Sequence, residues 1–301
     1  MRVFVTGASG HIGSAVIPDL ISAGHEVVGL ARSDGSAAAV EALGASVHRG
    51  SLDDLDSLQE AAGAADGVIH LAFKHQEMNA GDFDAAVAAD LRAVEALGDA
   101  LAGSGKPLVG TSGTLMLLFG GVDGVGTEED SGEAGPRIDA ENAVVALAGR
   151  GVRSSVVRLP PTVHSSLDHH GFVPALVTFA RAAGRAGYVG DGTNRWPAVH
   201  TLDAARLYRQ ALESAPAGTR WHAVAEEGVP FREIAGAIGR HLGLPTESIP
   251  AEEVGAYFDY LAFFVPLDNP TSSARTRELL DWNPTRPGLV ADLDEGHYFD
   301  A

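Results

Sequence analysis

The stretch Val5-Thr6-Gly7-Ala8-Ser9-Gly10-His11-Ile12-Gly13 decides the fold. It follows the apolar run Val3-Phe4-Val5, and it precedes a segment whose apolar residues recur at helical spacing. A second apolar run, 26–30, comes next, so the pattern predicts a strand, a helix and a parallel strand. The three glycines suit a tight turn, a close backbone approach to a phosphate and close packing of the helix on the strand. The sequence therefore predicts a dinucleotide site whose cofactor-binding residues include Gly7, Ser9, Gly10, His11 and Ile12.

Strand and helix patterns continue to alternate through the first half of the chain. Apolar runs lie at 67–73, 107–111 and 152–159, and a long alanine-rich helical pattern covers 83–101. This alternation predicts an α/β fold of the Rossmann type, a doubly wound parallel sheet covered by helices on both faces. After Pro160-Pro161 the pattern loosens. We therefore expect a dinucleotide-binding domain over residues 1–160. Residues 161–301 should form a smaller C-terminal substrate lobe, with some strands returning to the main sheet.

Composition limits the possible partners and compartment. The 301 residues carry a formal net charge of −19, which disfavours nucleic acid and anionic membranes as partners. The chain has no cysteine, which excludes disulfides, thiolate nucleophiles and cysteine metal sites. The first strand begins at Met1-Arg2-Val3 and no run of about 18 apolar residues occurs, so we expect neither a signal peptide nor a membrane span. A cytoplasmic protein acting on a small-molecule substrate is expected.

The end of the second strand indicates which cofactor is bound. NAD sites usually place an acidic residue there to hold the ribose 2′-hydroxyl. Here the sequence is Leu30-Ala31-Arg32-Ser33, in which a guanidinium and a hydroxyl suit a 2′-phosphate. Asp34 follows one residue later and would repel that phosphate only if it pointed inward. The sequence therefore favours NADP(H) over NAD(H), unless Arg32 is simply a solvated surface residue.

Three residues near strand ends are candidates for the chemistry. Ser112 follows the run at 107–111, and its hydroxyl suits a hydrogen bond to a substrate carbonyl, although a serine here also suits a simple turn cap. Lys74 and His75 follow Phe73 at the carboxyl edge of the predicted sheet, where open α/β sheets bind ligands. Either side chain suits proton donation, or the two form a surface pair. The adjacent His169-His170 cannot easily face one metal ion, so no metal site is predicted.

Several short motifs resemble the short-chain dehydrogenase/reductase superfamily, in its extended or atypical form. They are Thr6 to Gly13, Gly50-Ser51-Leu52-Asp53-Asp54, His70-Leu71-Ala72, Val109-Gly110-Thr111-Ser112, Arg158 to His164, Gly190-Asp191-Gly192 with Trp196 to Asp203, and Thr271 to Pro284. The resemblance runs over nearly the whole chain. It implies that Ser51 and Leu52 contact the adenine and that Leu71, Ala72 and Phe73 line the nicotinamide side. It also implies that Thr111 and Ser112 belong to the active-site serine strand and that Pro160 and Val163 close over the nicotinamide.

One departure from that superfamily concerns its Tyr-x-x-x-Lys pair. The only lysines are Lys74 and Lys106, and neither has a tyrosine four residues earlier. Counting from the segment at Arg158 places Glu133 and Arg137 where the superfamily has tyrosine and lysine. Arg137 suits the binding of ribose hydroxyls, but a pKa above about 12 prevents it from passing protons. The proton would then come from Lys74, His75 or water.

The sequence favours an NADPH-dependent oxidoreductase that reduces a carbonyl or related unsaturated group of a small organic substrate. An alternative is a sugar-nucleotide epimerase or dehydratase, whose diphosphate would need basic residues in the second lobe. Those available are Arg181, Arg185, Arg195 and Arg206. A third hypothesis is a non-catalytic NAD(P)-binding sensor, which the missing tyrosine and lysine favour. The resemblance also implies a homodimer that pairs through the helix at 83–101.

Overall fold

The structure is a computed structural model that describes residues 1–79 and 81–300. Residue 301, the last of the predicted substrate lobe, lies outside this range. The strands are β1 (Arg2–Thr6), β2 (Glu26–Ala31), β3 (Ser46–Arg49), β4 (Gly67–His70), β5 (Pro107–Gly113), β6 (Arg153–Leu159), β7 (Thr162–His164), β8 (Ala186–Val189), β9 (Arg195–His200), β10 (Thr219–His222), β11 (Glu226–Pro230) and β12 (Thr246–Ile249).

The helices alternate with these strands in the first half of the chain. They are α1 (His11–Ser22), α2 (Asp34–Ala42), α3 (Leu55–Gly63), α4 (His75–Asn79), α5 (Phe83–Leu101), α6 (Leu115–Phe119), α7 (Ile138–Ala146), α8 (Phe172–Ala183), α9 (Thr201–Ser214), α10 (Phe231–Leu242), α11 (Val254–Phe258), α12 (Ala274–Leu280) and α13 (Leu289–Asp294). Across the described residues, none of these helices is both long and apolar enough to cross a membrane.

Seven strands form one parallel sheet in the order β10-β6-β5-β4-β1-β2-β3. The chain therefore winds outward in both directions from β1, which confirms the predicted Rossmann-type fold. Val3, Phe4 and Val5 are fully buried, because β1 is paired on both sides and covered on both faces. Helices α1 and α9 pack together on one face of the sheet, and α3, α5 and α7 pack on the other.

A second, smaller core lies in the C-terminal half of the chain. It is built from α8, α10, α11, α13 and the short sheets β11-β9-β7 and β12-β8 around the buried side chains of Trp196, Phe231 and Phe258. Strand β10 and helix α9 return to the main sheet from this half. The domain boundary at residue 160 remains a prediction. Strand β7 begins two residues beyond it and pairs within the second core.

The structure differs from the sequence pattern at two places near the carboxyl edge of the sheet. Helix α2 was not predicted, because its Asp-Gly-Ser start and alanine run carry little apolar periodicity. The predicted strand 67–73 ends at His70. The Thr6 hydroxyl oxygen accepts hydrogen bonds from the backbone N–H groups of Leu71 and Ala72, each at 3.2 Å, and so turns the chain out of the sheet.

Candidate active site

The glycine-rich loop between β1 and α1 has the backbone geometry that its sequence predicts. Gly7 has φ of +68°, and a Cβ there would lie 2.8 Å from the Ala72 nitrogen. A Cβ at Gly13 would lie 2.3 Å from the Gly7 carbonyl oxygen. Helix α1 begins at His11 behind Gly10, no described side chain caps it, and its first turn holds no acidic residue. The backbone N–H groups of that turn therefore suit a pyrophosphate, so the residues present fit a dinucleotide.

The residues after β2 and β3 are those for which the sequence predicts contact with the adenine end of the cofactor. Arg32 is exposed, and the Ser33 hydroxyl accepts a hydrogen bond from the Ser36 backbone N–H at 3.2 Å, which caps α2. Asp34 accepts a hydrogen bond from Arg49 Nη2 at 2.5 Å. Because the Asp34 carboxylate is paired with Arg49, its negative charge is offset beside Arg32 and Ser33.

Lys74 lies at the end of β4 but is held by a carboxylate. Its Nζ donates to both oxygens of Asp53, at 2.8 and 2.7 Å. The hydrogen bond and charge of Asp53 raise the pKa of Lys74 against the opposing effect of partial burial. A lysine that donates a proton near neutral pH needs a lowered pKa, and the direction here is the opposite. Ser51 and Leu52 precede Asp53 on the same loop, and Leu52 is buried.

Arg137, Phe73 and His75 lie together beside β5. The Arg137 guanidinium carbon lies 4.2 Å from the centre of the Phe73 ring, and its Nη2 donates to the Thr111 carbonyl oxygen at 3.3 Å. Arg137 has φ of +64° and immediately precedes α7. The His75 ring meets the Phe73 ring edge-on at 5.2 Å. His75 is exposed, yet neighbouring groups displace enough water to lower its pKa, and the Arg137 charge lowers that pKa further.

Ser112 is buried on β5 with a hydroxyl that is available for a ligand. Its side-chain oxygen makes no hydrogen bond of normal length and angle within residues 1–79 and 81–300, although it lies near enough to the Glu141 carboxylate to help lower the pKa of that group. The neighbouring Thr111 hydroxyl is used internally, because it donates to the His70 carbonyl oxygen at 2.7 Å and lies 2.8 Å from the hydroxyl of Tyr208. A buried hydroxyl with no partner loses free energy that a bound carbonyl oxygen would restore. This geometry fits the predicted role of Ser112, and sequence reasoning missed Tyr208.

A buried ion-pair network fixes the helix that follows Arg137. Arg158 donates to both carboxylate oxygens of Glu141, at 2.6 and 3.0 Å, and Arg220 adds a bond of 2.7 Å. Burial opposes the negative charge of Glu141, but hydrogen bonds and charge from Arg158 outweigh it and lower its pKa. The resemblance placed Arg158 in the segment over the nicotinamide, whereas the structure directs its side chain into this network. In that segment Pro160 is buried and Val163 packs against the core under α1 and α9.

The His11 side chain points toward the second core. Its Nε2 lies 2.8 Å from the Thr201 hydroxyl, and its Nδ1 lies 3.7 Å from Asp168. Burial lowers the pKa of His11 to about 4, with smaller contributions from the nearby histidines. Burial also raises the pKa of Asp168 to about 6. The two side chains are therefore close, but burial disfavours the charged form of each. His11 is thus better placed to link the glycine loop to the second core than to attract phosphate.

Possible metal ligands are sparse in the described part of the chain. Asp292, Glu295 and His297 are the one group that brings three ligand atoms within 4.8 Å of one another. Asp292 already accepts a hydrogen bond from His164 Nδ1 at 2.9 Å, which occupies one carboxylate oxygen. His169 and His170 face each other only at a ring separation of 6.4 Å. The group at Asp292 therefore has no assigned role in the chemistry.

Comparison with known proteins finds a family model and several relatives that resemble this chain. The model of the NAD-dependent epimerase/dehydratase family matches residues 3–223. The fission-yeast protein C2A9.02 is 46% identical over 299 residues, which cover 99% of this chain and 100% of that protein. A Stigmatella aurantiaca ketoreductase that acts on a 3-oxo-dihydroquinoline N-oxide is 27% identical over 232 residues, or 72% of this chain and 66% of that protein.

A solved structure supports the same fold. The dTDP-glucose 4,6-dehydratase DesIV of Streptomyces venezuelae, solved with NAD, has a TM-score of 0.78. It is 20% identical in sequence, and the superposition covers 98% of this chain and 96% of that one. At this level of identity the likeness shows the fold and leaves the reaction to the residues of this chain.

Proposed function

Because the chain belongs to the NAD-dependent epimerase/dehydratase family, we propose that it is an NADPH-dependent reductase of this family. It reduces a carbonyl group of a small organic substrate to an alcohol. The observation that carries the proposal is the buried Ser112 hydroxyl. It makes no hydrogen bond of normal geometry among the described residues, lies near the Glu141 carboxylate, and belongs to the strand next to Arg137 and Phe73. We further propose that the protein works in the cytoplasm as a homodimer.

The glycine loop, the Arg32–Ser33 segment and Arg137 are the parts that would hold the cofactor. When bound, NADPH would supply the hydride that reduces the carbonyl carbon. The first-turn N–H groups of α1 bind the pyrophosphate, and Arg32 binds the 2′-phosphate. Arg137 donates to ribose hydroxyls in place of a lysine, from its position above the Phe73 ring.

Ser112 and His75 both act on the substrate oxygen, Ser112 through a hydrogen bond and His75 through proton transfer. The Ser112 hydroxyl donates a hydrogen bond to the carbonyl oxygen and stabilises the negative charge that develops as the hydride arrives. His75 delivers the proton, directly or through water, because it lies beside Phe73 whereas Lys74 is held by Asp53. The pKa of His75 is lowered, so its protonated fraction grows as the pH falls below 6.5.

The sugar-nucleotide alternative needs free basic residues in the second lobe, and the candidates are engaged. Arg185 bonds to Glu253, Arg195 bonds to Asp268 at 2.8 Å, and Arg206 bonds to Asp203 at 2.9 Å. Arg181 donates to the Phe299 carbonyl oxygen at 2.6 Å. A diphosphate would have to break these contacts, so the engagement of these four arginines favours a substrate without one.

The test is NADPH oxidation, followed at 340 nm, against a panel of aldehydes and ketones with the wild type and Ser112→Ala. We expect turnover by the wild type and at least a tenfold lower kcat/KM in the variant, about 1.4 kcal/mol of lost transition-state stabilisation. Parallel runs with NADH test the cofactor preference. NADPH binding without turnover of any carbonyl would support the sensor hypothesis, and a nucleotide sugar retained on the purified protein would support the epimerase hypothesis.

A further inference from the structure

Two phenylalanine rings stack on each other at the protein surface. The rings of Phe119 and Phe263 have centroids 6.0 Å apart and planes 26° apart. Phe119 is 44% exposed and Phe263 is 63% exposed. Large aromatic side chains are rarely left in water together without a reason, and such exposed apolar surface often marks a binding site.

The pair lies where the main sheet meets the second lobe, close along the chain to Ser112. Phe119 ends helix α6, which begins three residues after Ser112. The link between them is fixed to the second lobe, because the Thr114 hydroxyl donates to the Asn269 side-chain oxygen at 2.8 Å and Asn269 donates back to the Thr114 carbonyl at 3.2 Å. Phe263 lies six residues before Asn269. The two rings therefore come from two segments, one following β5 and one from the second lobe, that are hydrogen-bonded to each other next to β5.

The exposed pair is anchored to a row of partly buried aromatic rings that ends at a fully buried tryptophan. Phe263 meets Phe264 at 5.4 Å, Phe264 meets Phe172 at 5.9 Å, and Phe172 meets the fully buried Trp196 at 5.7 Å. A ring anchored in this way loses little side-chain entropy when a ligand covers it. The pair is thus a preformed apolar surface rather than a loose loop tip.

Electrostatics limit what such a surface binds. The chain carries a net charge of −19, and the four second-lobe arginines considered above already make internal contacts. An anionic ligand would meet repulsion without a free cation from that set to offset it. An uncharged, flat and apolar group gains contact area here without this penalty.

We propose that Phe119 and Phe263 form a subsite for an aromatic ring attached to the carbonyl group of the substrate, which rests on the reductase function proposed above. The ring packs on the exposed faces of the pair and not between them. Insertion would need two contacts of about 3.5 Å each, and the centroids are 6.0 Å apart. The substrate class is therefore an uncharged aryl aldehyde or aryl ketone.

The test compares 2-naphthaldehyde with butanal in the wild type, Phe119→Ala and Phe263→Ala. We expect both variants to lower kcat/KM for 2-naphthaldehyde at least tenfold and to change it for butanal less than twofold. Leu279→Ala removes a side chain that is 53% exposed on α12 and serves as the control, with both values unchanged. An equal loss for both aldehydes, or no loss for 2-naphthaldehyde, would overturn the subsite.

A binding measurement separates this proposal from the reductase function. If no aldehyde is reduced, the reductase function fails, and the subsite is judged from the Kd of 2-naphthylmethanol measured by calorimetry on NADP⁺-loaded protein. A Kd at least tenfold weaker in Phe119→Ala and Phe263→Ala than in Leu279→Ala supports the subsite. An unchanged Kd, or no binding to the wild type, overturns it.

Discussion

Asp168 shows how one buried carboxyl makes stability depend on pH. Its side chain is almost completely buried, one oxygen accepts the Gly171 backbone N–H at 2.8 Å, and burial raises its pKa to about 6. A carboxyl that holds its proton more tightly in the folded state is stabilising when protonated and costs stability when ionised. This cost begins near the ordinary pKa of 3.8 and is complete above pH 6.

We therefore expect Asp168→Asn to stabilise the protein at pH 7.5 and to have little effect at pH 4. The amide keeps an acceptor for Gly171 but never ionises, and the gain should be on the order of 2 kcal/mol. Urea unfolding at a series of pH values measures it. Asp123→Asn, in an exposed loop, is the control and should show no such pH dependence. A destabilised variant at pH 7.5 would show that the ionised carboxylate is stabilising.

At the scale of elements, α7 is the part that positions Arg137, and its anchor is the pair Glu141–Arg158. Both side chains are almost fully buried, and Arg158 also bonds to the Asp130 carbonyl oxygen at 2.8 Å and lies 3.1 Å from His222 Nε2. Removing one charge of a buried pair leaves the other without compensation. The network therefore ties α7 to β6 and β10 more firmly than surface ion pairs would.

Glu141→Gln should lower the free energy of unfolding by about 3 kcal/mol, because Arg158 then remains buried without a carboxylate. Denaturant unfolding at pH 7.5 measures this loss. The matched control is Arg150→Gln, which breaks the exposed pair of Arg150 with Asp99 at 2.7 Å and should cost less than about 1 kcal/mol. Equal losses in the two variants would mean that burial adds nothing to the strength of the Glu141 pair.

The elements near the cofactor could be predicted from sequence, because glycine turns and apolar runs are local signals. The loop at Gly7 to Gly13 and the doubly wound parallel sheet followed from such signals. The stacking of Phe119 on Phe263 could not be predicted, since the two rings are 144 positions apart and meet only after both lobes fold. Lys74 was predicted as a proton donor because its pairing with a carboxylate is likewise not visible in the sequence. Its partner Asp53 comes from another loop, and only the fold brings the two together.

At the scale of the whole molecule, the net charge of −19 affects how two copies meet. Copies of the same sign repel at long range, although physiological salt screens this beyond about 8 Å. A stable dimer needs about 800 Å² of contact on each partner, so it must rest on an apolar face. Helix α5 offers one. Val94 and Leu97 are buried in the protein, whereas Val87 and Leu91 keep part of their surface accessible.

We expect the wild type to form a dimer through α5 and Leu91→Arg to be monomeric. The variant places a charge in the middle of the apolar face, where pairing would bury it without a partner. Size-exclusion chromatography with light scattering should give twice the chain mass for the wild type and one chain mass for the variant. Glu233→Arg introduces the same residue on the exposed side of α10 and should remain dimeric.

Because the copies repel each other, the dimer should also dissociate less at 0.5 M salt than at low salt. A wild type that is monomeric at both salt concentrations would remove α5 as a pairing surface, and a dimer that survives Leu91→Arg would place the contact elsewhere.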